Sequence, residues 1–126
     1  MWGYQKTKDM INQKTMKILH ENDFGHIAKC PCCEELQVAL GNVLLTFSES
    51  DYLQFDNFFD EIRADIVTEK LSKNSKNSKR KYVIVTNYNG LVLSLTYPEL
   101  LNTMELLNFS TMIIFINYLM STSENN

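Results

Sequence analysis

Three cysteines lie within four residues, Cys30-Pro31-Cys32-Cys33, and the 126-residue chain has no other. Cys30 and Cys33 stand three apart in a Cys-Pro-x-Cys turn, as in one knuckle of a zinc ribbon or rubredoxin-like site. Two thiolates at that spacing in a tight turn can both face one tetrahedral metal. A zinc site takes four ligands, so one knuckle supplies half of it. No second Cys-x-x-Cys follows, and the two histidines, His20 and His26, both lie just upstream. The candidate ligand set is therefore Cys30, Cys33, His26 and His20, with zinc as the candidate cofactor. Alternatively, two chains supply two cysteines each.

Two other readings of the cysteines stay open. Buried free thiols pack as small hydrophobes. As a redox pair, Cys-x-x-Cys works best at a helix N-terminus, where the dipole lowers the thiol pKa. Here Glu34-Glu35 follows and leads toward a strand. Negative neighbours raise a thiol pKa, and the thioredoxin-like strand–helix–strand order is missing, so the redox reading is the weaker one.

The remaining polar groups offer less chemistry. Asp51, Asp56, Asp60, Glu61 and Asp65 recur at helical spacing. Paired carboxylates can do acid–base work, but a solvated helix face carries the same pattern. Ser48 and Thr96 sit where helix caps belong, with no histidine near in sequence. No complete catalytic signature or nucleotide loop is present, and a non-enzymatic role is expected.

Charge narrows the partners. Twelve basic and fifteen acidic residues give a net charge of −3. Residues 67–81 hold six of the basic groups and one acidic group, while residues 82–126 hold only Glu99, Glu105 and Glu124. The basic run Lys70, Lys73, Lys76, Lys79, Arg80, Lys81 lacks interleaved aromatics, so no nucleic-acid partner is expected. An odd, clustered cysteine set suits a reducing compartment, and no apolar h-region follows the start; the expected location is cytoplasmic.

The elements that must position these groups follow from alternation and caps. Residues 1–14 read as a tail or short helix. Residues 16–20 and 26–29 read as strands around a turn at 21–25. Leu36, Val38 and Leu40 alternate with polar or small residues, Gly41-Asn42 makes a tight turn, and Val43, Leu45 and Phe47 return. Ser48 starts a helix on which Tyr52, Phe55, Phe58, Phe59, Ile62 and Ile66 face inward and Asp56, Asp60, Glu61 and Arg63 face outward. Residues 68–80 are low in complexity and read as a flexible linker. Tyr82–Thr86, Asn89-Gly90 and Leu91–Leu95 form a second hairpin. Thr96 and Glu99 cap a last helix from Leu100 to about Met120. Residues 121–126 read as a tail.

Shifted by 48, the second half overlays the first in turn, alternation, cap and helix. This predicts one α/β (α+β) domain over 15–120, built of two ββα units, with one antiparallel sheet and both helices on one face. The Cys30–Cys33 turn, the Leu36–Asn42 hairpin strand and the Ser48-capped helix resemble a small bacterial family of uncharacterised proteins. Its members share a Cys-x-x-Cys, a Gly-Asn hairpin and a second strand–helix half. The resemblance covers about residues 17–120 and implies no activity. It matches Cys30 and Cys33 to the pair and leaves Cys32 as an extra.

The last helix is apolar on nearly all sides. Glu105, Asn108, Ser110 and Asn117 interrupt it, and no Lys or Arg flanks it, which disfavours a membrane span. One stripe, Leu106, Phe109, Ile113, Ile116 and Met120, is expected to cover the sheet. The expected partner for the rest is a second copy, through Leu107, Met112, Ile114, Phe115, Tyr118 and Leu119. The sequence thus favours a homodimeric binding or assembly protein. A zinc-binding module is the alternative and a thiol-dependent redox enzyme the third reading.

Overall fold

The computed structural model describes residues 16–68, 81–88 and 90–124. Strands β1 (Lys17–Glu21), β2 (Gly25–Lys29), β3 (Leu36–Leu40) and β4 (Val43–Phe47) form an antiparallel sheet in chain order. Alternation puts Leu36, Val38 and Leu40 inward, and the register sets Ile27 opposite Val38 and Val38 opposite Leu45. That row of buried side chains ties three strands together. Two glycines permit the pairing. Gly41 takes φ +59° in the β3–β4 turn. At Gly25 any side chain would run into the Ala39 carbonyl, 1.8 Å from an ideal Cβ.

The fold is α+β, but its strands do not join as the repeat suggested. Among the described residues, strands β5 (Lys81–Val85) and β6 (Val92–Thr96) pair only with each other, as a separate two-stranded sheet. The order strand–strand–helix does recur. The first hairpin, however, finds its neighbour in β2, and β1–β2 extends that sheet to four strands. Most of the expected linker, residues 69–80, and the expected N-terminal tail lie outside the described residues, as does Asn89.

The helix expected from Ser48 to Ile66 is two helices, α1 (Glu49–Phe58) and α2 (Asp60–Val67). Ser48 caps α1 by accepting the Asp51 N–H at 3.1 Å. The break at Phe59 has a physical cause. Its N–H turns to the Asp56 carbonyl at 3.0 Å, and Arg63 Nη1 donates to that same carbonyl at 3.0 Å. Phe59 is fully buried there, and Asp60 and Glu61 open α2 where the helix dipole favours negative charge.

The outward polar face of this segment also needs correcting. Asp56 is buried, and Arg63 is largely covered. The guanidinium holds the Asp56 carboxylate, donates to Asp60 Oδ1 at 2.6 Å, and reaches Asn108 Oδ1 at 2.7 Å on the last helix. Thr111 Oγ1 donates to Asp56 Oδ2 at 3.0 Å and lies 3.0 Å from the Tyr52 hydroxyl. Burial raises the Asp56 pKa, and Arg63 opposes that shift. Burial likewise pushes the Tyr52 phenol well above its ordinary range.

Helix α3 (Tyr97–Glu124) begins with the expected capping box: Thr96 N–H donates to Glu99 Oε1 at 2.9 Å, and Glu99 N–H to Thr96 Oγ1 at 3.3 Å. Its buried stripe is Leu100, Thr103, Leu107, Ser110 and Ile114, joined by Leu106. Leu107 and Ile114, expected at an interface between copies, therefore belong to the protein's own core. Met112, Phe115, Tyr118 and Leu119 are exposed, as are Phe109, Ile116 and Met120, which were expected to cover the sheet. Over Tyr97–Ser121 the helix is long and apolar enough to cross a membrane, but its first turns are core.

Removing one member of a covered ion pair strands the other. Arg63→Ala should lower unfolding free energy in urea by about 2–4 kcal/mol at neutral pH. Without the arginine, which opposes the effect of burial, the Asp56 carboxyl rises further in the folded state. The loss should therefore shrink as pH falls through that raised value. A loss below about 1 kcal/mol at all pH values would place the pair among ordinary surface bridges.

Candidate metal centre

The β2–β3 register ends with Lys29 opposite Leu36, leaving Cys30–Glu35 as the connecting loop. Two backbone bonds close it: Cys30 N–H to the Glu35 carbonyl at 2.9 Å, and Glu34 N–H to the Cys30 carbonyl at 2.6 Å. Closure requires one left-handed residue. Glu34 takes that role at φ +59°, a conformation costing a non-glycine residue about 1–2 kcal/mol. Pro31, with its fixed φ, suits the first position of such a turn. The loop thus sits at the end of a central strand pair, on a rigid base.

The turn folds three sulfurs onto one point. The Sγ atoms of Cys30, Cys32 and Cys33 lie within 4.8 Å of one another. Cys30 Sγ and Cys32 Sγ are 3.2 Å apart, and Cys33 Sγ lies 3.8 Å from Glu35 Oε1. Cys30 is half-buried; Cys32 and Cys33 are exposed. Cys30 is the acceptor of the cluster. A hydrogen bond from Cys33, then one from Cys32, lowers its pKa to about 7. Donation to Cys30 raises Cys33 to about 11 and also raises Cys32, each kept protonated by the neighbouring sulfur. The three sulfurs thus share protons, with Cys30 the first to lose its own. A metal replaces those shared protons.

Neither histidine joins the group. His20 donates or accepts through Nε2 to Glu105 Oε2 at 2.7 Å and stacks on Phe109 with ring centres 4.7 Å apart. It ties β1 to α3. His26 lies on β2, opposite Ala39 and Glu21. The strand is extended, so four residues carry His26 about 13 Å from Cys30, too far to fold back. Cys32, which the resemblance left as an extra, takes the third place. The sequence signal for it is its adjacency to the pair, while the turn that brings its sulfur inward is set by the left-handed Glu34.

Among the described residues no further His, Asp or Glu joins the three sulfurs. Glu35, next to Cys33 Sγ, offers the nearest carboxylate on the loop. The exposed side of Cys32 and Cys33 leaves that position open to solvent.

Comparison with known proteins places the chain without giving it an activity. No curated protein and no solved structure matches it. A family model described as a family of unknown function, DUF6686, matches residues 10–125, which takes in both sheets, the cysteine loop and all of the helices. The chain belongs to that family.

Proposed function

We propose that the protein is a non-enzymatic metal-binding protein that holds zinc through Cys30, Cys32 and Cys33. The observation that carries this reading is the convergence of three Sγ atoms within 4.8 Å on one six-residue loop. Zinc–thiolate bonds of about 2.3 Å at tetrahedral angles put sulfurs roughly 3.8 Å apart. A small opening of the 3.2 Å pair meets that requirement. Soft thiolates select zinc or copper(I) over magnesium or calcium, and zinc suits a tetrahedral site that needs no redox change.

The lowered thiol of Cys30 would also suit a thiol-dependent enzyme, but the surroundings favour metal. The loop joins two strands, so no helix N-terminus supports an attacking thiolate. Glu34 and Glu35 add negative charge beside the sulfurs, which opposes free thiolates and favours a bound cation. With three thiolates and one open position, the site can hold a metal tightly and still exchange its fourth ligand.

Zinc titration of the reduced protein should saturate at one ion per chain and release protons, because Cys32 and Cys33 stand raised above their ordinary values before binding. Affinity should therefore rise as pH increases through neutrality. Cys33→Ser should weaken binding by more than about 100-fold, since even outer-shell changes cost 10–100-fold. Zinc at about 100 times its dissociation constant should add about 2.7 kcal/mol to unfolding free energy, and a chelator should remove the gain. Protein prepared with thiols reduced and no chelator that neither carries nor takes up zinc would overturn the reading.

A further inference from the structure

Past Ile114 helix α3 runs on to Glu124 with most of its surface bare, while Asn117 still borders the cysteine loop beside Pro31 and Glu34. Phe115, Ile116, Tyr118, Leu119 and Met120 on this projection are all exposed. No charged side chain lies between Glu105 and Glu124. Such an end is not stable in water without a cover.

The same helix carries a cover of the right kind. Leu101, Glu105, Asn108, Met112, Phe115 and Leu119 succeed one another at spacings of four and three, so they share one outward face. Between the first half of that face and α2 runs a mostly apolar groove of about 390 Å³, walled by Ile66 and Val67 on α2 and by Leu101, Met104 and Phe109 on α3, with Arg63, Glu105 and Asn108 as its polar lining. One molecule thus presents an apolar projection and an apolar groove in line along one helix.

We propose that two copies of this chain pair across that face, with the α3 helices antiparallel about a twofold axis. The projecting end of each then fills the α2–α3 groove of the other. The register follows from symmetry. With the axis between Asn108 and Met112, Leu119 lies nine residues beyond the midpoint and Leu101 nine before it, each about 14 Å from the axis. Leu119 of one copy therefore meets Leu101 of the other, and Met112 meets Asn108. Spacings of four and three are those of helices that pack knobs into holes.

A second copy fits this face better than a bilayer does. The segment 115–124 is about 15 Å long, half the roughly 30 Å hydrocarbon layer, and the turns before it are core. No Lys or Arg follows Lys81 to anchor the helix at headgroups. The area is also that of an interface. The exposed parts of Val67, Leu101, Met112, Phe115, Ile116 and Leu119 come to roughly 600 Å², against about 800 Å² per partner in a standard complex. This pairing uses Leu101, Met112, Phe115 and Leu119, none of which lines the pocket that Asn117 shares with Pro31 and Glu34 of the cysteine loop.

Sedimentation of the full chain at tens of micromolar, in reducing buffer, tests the pairing and its register together. The wild type should sediment as a dimer. Leu119→Glu and Leu101→Lys should each weaken dimerisation at least about 10-fold, and the two combined should recover it, because the new charges then face each other across the axis. Leu119 is exposed in the single chain, so Leu119→Glu should leave the melting curve of dilute protein unchanged. A wild-type monomer would overturn the proposal. So would a dimer indifferent to Leu119→Glu, or a double variant no better than the single ones. Flotation of the wild type with phosphatidylcholine vesicles, in place of dimerisation, would overturn it in favour of a membrane.

Discussion

The buried stripe of α3 is the constraint on which the rest of the molecule depends. The two sheets share no strand pairing; the helix packs on both of them, and Phe47 on β4 meets Tyr88 of the β5–β6 turn with ring centres 4.7 Å apart. The helix packs against β1 and β2 from the larger sheet and against β5 and β6 from the smaller one. Leu100, Leu106 and Leu107 supply the contact, and all three are fully buried. Burial of large side chains at about 1.5–3 kcal/mol each makes this row a substantial stabilising contribution. The polar ties around it set orientation. His20 holds β1 to Glu105, Asn22 Nδ2 donates to the Asn102 carbonyl at 3.0 Å, and Arg63 links α1, α2 and Asn108.

That arrangement leaves the cysteine loop rigid at its base and open at its tip. Ile27, Ala28, Leu36 and Val38 are buried on the strands that enter and leave the loop. The strand ends are therefore held by core packing, and the Cys30–Glu35 backbone bond fixes their separation. The sulfurs stand beyond this frame, where a cation from solvent can reach them. A site whose ligands all come from one turn needs little rearrangement to bind, so little binding energy is lost to ordering. The sulfurs and the buried stripe of α3 use different side chains, although Asn117 of α3 borders the loop beside Pro31 and Glu34.

The parts of the fold legible in the sequence were those set by local chemistry. The Ser48 cap, the Thr96–Glu99 box, the Gly41 turn and the alternation of β3 and β4 each depend on a few adjacent residues, and each stands where the pattern put it. What stayed hidden depends on distant contacts. Helix α3 is apolar around its whole circumference, so periodicity cannot say which stripe faces inward; only the sheets decide, and they chose Leu107 and Ile114. Asp56 and Arg63 look like surface charges until Thr111 and Asn108, some 45–55 residues away, are brought against them. The four-stranded sheet was hidden for the same reason, because nothing local says that β2 will neighbour β3 rather than leave it for β5. At the site, the spacing of Cys30 and Cys33 marked the place, but Cys32 became a partner only through the left-handed turn at Glu34.

The central claim concerns three sulfurs around one ion, and X-ray absorption at the zinc edge reads that shell directly. Protein loaded with one equivalent of zinc should show three sulfur neighbours at about 2.3 Å and one lighter neighbour near 2.0 Å. A shell of nitrogen and oxygen alone, or of two sulfurs with two imidazole nitrogens, would contradict the account. The second of these outcomes would return His20 and His26 to the ligand set.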